Sequence, residues 1–205
     1  VAATLAAPGA HASLLAAAAA GDETLVAALL ASGTCPPNAR DAHGWTALML
    51  AAEAGHVGAA RALLAAGAAV DEGEGEEGWT ALLVACEAGH VGCVRLLLGA
   101  RAGPEVANGS GGSPLMIACQ EGHAACAQLL LDAGADPDYC NALHRTALLA
   151  AVEEGHVACA RLLVDRGARL DRSANLLGAA CNDGHAACVS LLIQERADVA
   201  AANSD

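Results

Sequence analysis

The dipeptide Gly-His recurs along this chain at a nearly constant spacing. Its glycines are Gly55, Gly89, Gly122, Gly155 and Gly184. The steps between them are 34, 33, 33 and 29 residues, and Gly21 stands a further 34 residues before the first of them. A period of this length is typical of arrays in which each unit packs only on its neighbours. Six units therefore cover nearly all of the 205 residues.

Each unit has the pattern of two short helices joined by a glycine turn. In the second unit Thr46 is a suitable N-cap, because its hydroxyl can accept a hydrogen bond from a first-turn N–H. Gly55 and Gly67 can adopt the left-handed conformation that ends a helix. The second helix carries one apolar stripe, which comprises Val57, Ala60, Leu63 and Leu64. A unit of this size cannot bury its apolar face alone, so the units are predicted to stack.

The composition fits thin helical layers and excludes some classes of partner. Apolar residues make up 55% of the chain, yet aromatics make up 1% and phenylalanine is absent. The formal charge of −13 repels phosphate backbones, so no nucleic-acid partner is expected. No apolar stretch reaches the roughly 20 residues of a membrane span, so no direct membrane insertion is expected.

The repeated motifs resemble those of the ankyrin repeat family. The matching stretches are "GWTALMLAAEAGHVGAARALLAAGA", "GGSPLMIACQEGHAACAQLLLDAGADPD" and "HRTALLAAVEEGHVACARLLVDRGA". The resemblance implies an all-α solenoid of ankyrin repeats, each a helix-turn-helix with a β-turn or hairpin finger, stacked into a curved superhelix. It also implies a non-catalytic scaffold for protein–protein interaction that carries no cofactor.

The register divides the chain into a leader, a repeat domain and a tail. The leader is residues 1–10, the ankyrin repeat domain is residues 11–200, and the C-terminal tail is residues 201–205. The repeats are placed at about 11–40, 41–74, 75–107, 108–140, 141–171 and 172–200. The first helix is predicted to run from Ala12 to Ala20.

Two departures from the repeat pattern bear on stability. Arg101 and Arg196 stand where Gly67 and Gly134 end the second helices of their repeats. A non-glycine residue there costs on the order of 1 kcal/mol if the left-handed geometry is kept. The connection after Gly167 is four residues shorter than in the preceding unit, which predicts a stub in place of a full finger.

Three copies of a Cys-x3-His-x2-Cys pattern raise the question of a metal site. The copies are Cys86-His90-Cys93, Cys119-His123-Cys126 and Cys181-His185-Cys188. Structural zinc sites generally use two close pairs of ligands, whereas each copy offers three. Sister repeats place Ala18, Ala52 and Val152 at the first cysteine position, where a ligand would be required. We therefore expect buried thiols, a histidine that fastens the adjacent glycine turn, and neither metal ligands nor catalytic residues.

The nine cysteines also bear on the compartment. Their number is odd and they recur at equivalent repeat positions, which does not fit a disulfide framework. A reduced intracellular compartment is expected, cytoplasmic or nuclear, with an organelle lumen left open.

The resemblance implies that a partner binds to the finger turns and to the ends of the first helices, on the concave face. Carried over position by position, the candidate residues are His43, Trp45, Glu53, Glu76, Glu77, Trp79, Glu87, Gln120, Glu121, Arg145, Glu153, Glu154 and Asp183. The candidates at the ends of the first helices form a row of acidic residues across successive repeats, called here the acidic ladder. This row is either a solvated face or a groove that steers a basic segment of a partner. The two tryptophans stand at equivalent positions of adjacent repeats. Two compatible roles are open for them, packing on neighbouring turns and acting as binding hot spots.

The stretch "DEGEGEEG", residues 71–78, places five carboxylates on one finger. Hard cations such as Ca²⁺ take carboxylate oxygens, but the spacing is not that of an EF-hand loop. An acidic finger tip is therefore favoured over a calcium site.

The expected partner is another protein with a basic segment, bound by a chain that is monomeric alone or a subunit of a larger complex. One alternative is the targeting region of a longer multidomain protein or enzyme, which the missing initiator Met hints at. Another is a structural subunit of a large assembly. Metal or redox function is the third.

Overall fold

The computed structural model of the chain describes residues 8–75, 77–170, 176–182 and 184–195. These residues contain twelve α-helices and no strand, which confirms the predicted all-α fold. The chain divides into two compact units between Ser110 and Gly111. None of the described helices has the length and apolar character needed to cross a membrane.

The first unit contains three pairs of helices in two layers. The helices are α1 Pro8–Ala20, α2 Glu23–Ala31, α3 Ala47–Glu53, α4 Val57–Ala65, α5 Ala81–Glu87 and α6 Val91–Gly99. Helices α1, α3 and α5 pack in succession, and so do α2, α4 and α6. Each first helix also packs on the second helix of its own repeat. The core of the unit therefore lies between the two layers.

The second unit has the same arrangement. Its helices are α7 Pro114–Gln120, α8 Ala124–Asp132, α9 Ala147–Glu153, α10 Val157–Asp165, α11 Leu176–Asn182 and α12 Ala186–Gln194. Helix α9 packs between α7 and α11, and α10 packs between α8 and α12. Two elements of the sequence analysis, Arg196 and residues 171–175 of the shortened connection, lie outside the described residues.

Helix α1 begins at Pro8, four residues before the predicted start at Ala12. Proline is well tolerated in the first turn, because the N–H that it lacks would have no acceptor within the helix there.

Helices α3, α5, α7 and α9 begin at buried hydroxyl caps, as predicted for Thr46 and Ser113. The Oγ1 of Thr46 accepts a hydrogen bond from the N–H of Met49 at 3.3 Å. Ser113 does the same for Met116 at 3.3 Å, and Pro114 occupies the first helical position after it. These caps fix where each finger ends and each first helix begins, and so they place the finger tips relative to the helices.

Within each unit, a histidine packs against the turn glycine of the repeat before it. A Cβ on Gly55 would lie 2.7 Å from the ring of His90, and the Nε2 of this ring donates a hydrogen bond to the carbonyl of Glu53 at 2.8 Å. Further pairs are Gly21 with His56, Gly122 with His156, and Gly155 with His185. The expectation that the histidine fastens its own adjacent turn is therefore wrong. The ring occupies the space that the missing Cβ leaves in the preceding repeat, and it makes no capping bond to its own helix.

Arg101 adopts the left-handed conformation, with φ at 69°, at the end of α6. Its N–H donates to the carbonyl of Leu98 at 3.0 Å, so the turn is kept although the residue has a side chain. The predicted strain is present because the turn geometry is set by the repeat and not by the residue that occupies it.

Replacing Arg101 by glycine is expected to raise the free energy of unfolding by about 1 kcal/mol, because the left-handed strain is removed. Urea denaturation followed by circular dichroism measures the change. Arg101→Ala is the matched control, since alanine removes the same side chain and keeps the strain. Equal stability of the two variants would contradict the assignment.

Candidate protein-binding site

The first finger tip is closed by the side chain of Asp41. Its Oδ1 accepts hydrogen bonds from the N–H of His43 at 2.8 Å and of Trp45 at 2.9 Å. The N–H of Asp41 donates in turn to the carbonyl of Trp45 at 2.9 Å. An aspartate at this position thereby forms a self-contained turn that presents the exposed His43 and the partly buried Trp45.

The next finger repeats the backbone bond with a different side chain. The N–H of Glu74 donates to the carbonyl of Trp79 at 2.8 Å, and its carbonyl accepts from the N–H of Gly78 at 3.0 Å. The indole N–H of Trp79 donates to the Oε2 of Glu77 at 3.2 Å, which orients the ring. Trp45 and Trp79 therefore stand at corresponding places on successive fingers.

These two fingers and the end of α5 enclose a groove in the first unit. The groove has a volume of about 500 Å³, and its lining residues are His43, Trp45, Glu74, Glu77, Trp79 and Glu87. A second recess of about 440 Å³ shares Glu77 and Trp79 and extends to residues 108–110. Five of the predicted partner-binding residues thus meet in one place.

Glu74 is the lining residue that the sequence analysis missed. It is only 9% exposed. Within the described part of the chain, its carboxylate accepts no hydrogen bond and forms no ion pair. The backbone N–H of Glu74 makes the bond that closes the turn, as those of Asp41 and Asn141 do, but the turn from Glu74 to Trp79 is one residue longer. In sequence register the position of Asp41 falls on Gly75, so the repeat pattern gave no signal for Glu74.

Arg40, which precedes the first of these fingers, is bonded to other groups. The Nη2 of Arg40 pairs with the Oε1 of Glu72 at 2.5 Å. Its Nη1 donates to the carbonyls of Gly44 at 2.7 Å and Gly73 at 3.0 Å. Further along this finger, Asp71 accepts from the N–H of Gly103 at 3.1 Å. The start of the acidic finger is therefore fixed by its neighbours, and the groove is lined by three glutamates and by no lysine or arginine of the described residues.

The other predicted binding residues of the first unit are placed differently. Glu53 is exposed at the end of α3, where its carbonyl accepts the bond from His90. It does not line the groove. Glu76 lies outside the described residues.

In the second unit the acidic ladder is partly neutralised. The Nη2 of Arg145 pairs with the Oε2 of Glu153 at 2.6 Å, so two predicted binding residues bind each other. Gln120 donates to Glu121 at 3.1 Å, and Glu154 is exposed. Asp183 lies outside the described residues. A sequence pattern could not reveal the Arg145–Glu153 pair, because the two residues come together only through the fold of the finger on α9.

The cysteines lie mainly in the core, as expected. Cys93, Cys126, Cys159 and Cys188 are fully buried at the same position of successive second helices, whereas Cys181 is exposed. Burial raises the pKa of the Cys93 and Cys188 thiols. Burial, with a smaller contribution from Cys159, raises the pKa of Cys126 to about 11. These thiols stay protonated at neutral pH and are poor nucleophiles and ligands.

A hydrogen bond from Cys119 lowers the pKa of the Cys159 thiol, against the effect of its burial. The nine cysteines all lie within the described ranges, and none of them forms a disulfide. Across the described ranges, no three His, Cys, Asp or Glu side chains are grouped so as to hold a metal ion. Two histidines of the repeated pattern, His90 and His185, instead pack on the turn glycine of the preceding repeat.

Comparison with known proteins agrees with this architecture. The family model described as ankyrin repeats, three copies, matches residues 14–108 and 100–174. The crystal structure of the human ASB11 ankyrin repeat domain is 29% identical, with a TM-score of 0.83, over 91% of this chain and 84% of that chain. No curated protein matches the chain. Ankyrin repeats are generally protein–protein interaction modules and are typically non-catalytic. The chain belongs to the ankyrin repeat family.

Proposed function

We propose that this chain is a non-catalytic interaction module that binds a basic segment of a partner protein in the groove of its first unit. The observation that carries the proposal is the composition of the groove. It brings both tryptophans of the chain together with three glutamates, Glu74, Glu77 and Glu87. A surface of this kind is complementary to an extended segment that carries positive charge.

The two tryptophans supply the apolar part of the binding energy. Tryptophan is strongly enriched among residues that dominate interfaces, because it buries a large area with little loss of side-chain freedom. Trp45 and Trp79 are partly buried in the free chain, so their remaining exposed faces are already oriented. Little ordering of side chains is then needed when a partner binds.

The carboxylates supply charge complementarity. They steer a basic segment to the groove and fix its register, whereas an acidic segment is repelled. The Arg145–Glu153 pair makes the corresponding part of the second unit less negative. We therefore place the principal contact in the first unit.

A peptide selection with the full chain tests the proposal. Peptides enriched from a random 12-residue display library are synthesised and titrated calorimetrically into the wild-type chain and its variants. Arg- or Lys-rich sequences are expected to dominate. Glu87→Lys, and separately Trp45→Ala combined with Trp79→Ala, are expected to weaken binding at least about tenfold, as is typical of hot-spot residues.

Asp165→Lys is the matched control for charge, because Asp165 is exposed at the end of α10, in the second unit. It changes the net charge by the same amount as Glu87→Lys and should leave the affinity within about twofold. Circular dichroism confirms that each variant is folded. If Glu87→Lys and Asp165→Lys weakened peptide binding equally, the effect would come from net charge alone. If the tryptophan variant bound the peptide with unchanged affinity, the groove would not be the binding site.

A further inference from the structure

Glu74 has no partner within the described chain although most of its surface is buried. Glu74 is 9% exposed, and it lines the groove between the two tryptophan-bearing fingers. At the same place in other repeats, the side-chain oxygens of Asp41 and Asn141 accept two backbone N–H bonds each, at 2.8–3.0 Å. The turn that begins at Glu74 is one residue longer, and the N–H of Gly78 donates to the backbone carbonyl of Glu74.

A carboxylate in a confined groove binds favourably to a ligand that supplies opposite charge and hydrogen bonds. Arg40 does not do so, because its guanidinium is bound to Glu72 and to two backbone carbonyls. Within the described residues, no cationic side chain is therefore paired with Glu74. The neighbouring indoles of Trp45 and Trp79 add faces that attract cations.

We infer that the groove of the first unit receives one arginine side chain of the partner, whose guanidinium pairs with Glu74 and stacks on a tryptophan. This inference rests on the proposed function and names the anchoring residue of the basic segment. Arginine fits better than lysine for two reasons. Its planar guanidinium stacks on an indole, and its several N–H groups can serve more than one carboxylate at the same time, here Glu74 and Glu77.

The two tryptophans provide a direct reporter, because they are the only ones in the chain and both line the groove. The probe is the peptide Ac-Gly-Ser-Arg-Ser-Gly-NH2, titrated into the full chain while tryptophan emission is recorded. A saturable change with a Kd in the millimolar range, about 1–10 mM, is expected for a single anchor. The citrulline peptide, which has the same shape without the charge, should give no saturable change. The lysine peptide should bind at least about threefold more weakly.

Glu74→Asn separates binding from folding. Asparagine is uncharged and is favoured in turns, so the melting temperature should stay the same or rise. Binding of the arginine peptide should nevertheless fall at least about tenfold, because the carboxylate is lost. A residue with only a structural role would not give this combination.

Several results would overturn the inference. The first is the lack of any response to the arginine peptide up to about 50 mM, a concentration well above a millimolar Kd. The second is a citrulline or lysine peptide that binds as tightly as the arginine peptide. The third is a Glu74→Asn variant that binds the arginine peptide with unchanged affinity. The two proposals can also fail separately. If binding of the selected peptides requires Glu87 and the tryptophans but not Glu74, the groove is still the binding site and the arginine assignment is wrong. If binding of the arginine peptide requires Glu74 but the selected peptides bind the groove variants with unchanged affinity, the groove binds arginine and the proposed partner site is wrong.

Discussion

Gly55→Ala is expected to lower the free energy of unfolding by about 3 kcal/mol, which is a large effect for the addition of one methyl group. Two terms contribute. The left-handed backbone, with φ at +74°, costs about 1–2 kcal/mol with a Cβ present. The new Cβ would also lie 2.7 Å from the ring of His90, so the ring must move and its bond to the carbonyl of Glu53 is lost, at about 1 kcal/mol more.

Gly67→Ala isolates the backbone term. Gly67 has φ at +87°, but no atom lies within 4 Å of the Cβ that would be added. Its loss should be about 1–2 kcal/mol, from strain alone. In a His90→Ala background, Gly55→Ala should cost no more than Gly67→Ala, and this double-mutant cycle measures the coupling between the turn and the ring. Equal losses for Gly55→Ala and Gly67→Ala in the wild-type background would contradict the interlock between repeats.

Leu63→Ala is expected to destabilise the chain by about 3 kcal/mol, because it removes a fully buried side chain from α4 and leaves a cavity. Leu64 is the matched control one residue further along the same helix. It is partly exposed, at the edge of a shallow groove between α4 and α6, so its truncation should cost about 1 kcal/mol. Chemical denaturation of both variants measures the difference. A similar loss for the two leucines would mean that the helix face is assigned wrongly.

The apolar stripe on α4 shows how far a sequence pattern can specify the fold. Its spacing correctly predicted the helix and the burial of Ala60 and Leu63. It could not separate them from Val57 and Leu64, which are only partly buried, because the width of the contact depends on how the neighbouring helix approaches. The glycine positions were more informative, since a left-handed turn admits few residue types.

The interactions that the sequence did not reveal are those between successive repeats. His90 and Gly55 belong to adjacent repeats and lie 35 residues apart, so a pattern read within single repeats does not show their contact. The environment of Glu74 was hidden for a related reason. A glutamate in an acidic finger is expected to be exposed to solvent. Glu74 is buried because two neighbouring fingers pack beside each other.

The most direct test of the central claim uses the two indole N–H signals in the proton–nitrogen spectrum of the full chain. They report only on Trp45 and Trp79, because the chain has no other tryptophan. Titration with the tightest selected basic peptide is expected to shift both signals, with a Kd equal to the calorimetric value and with no shift from a peptide of reversed charge. Calorimetric binding of the basic peptide while both indole signals stay in place would contradict the account.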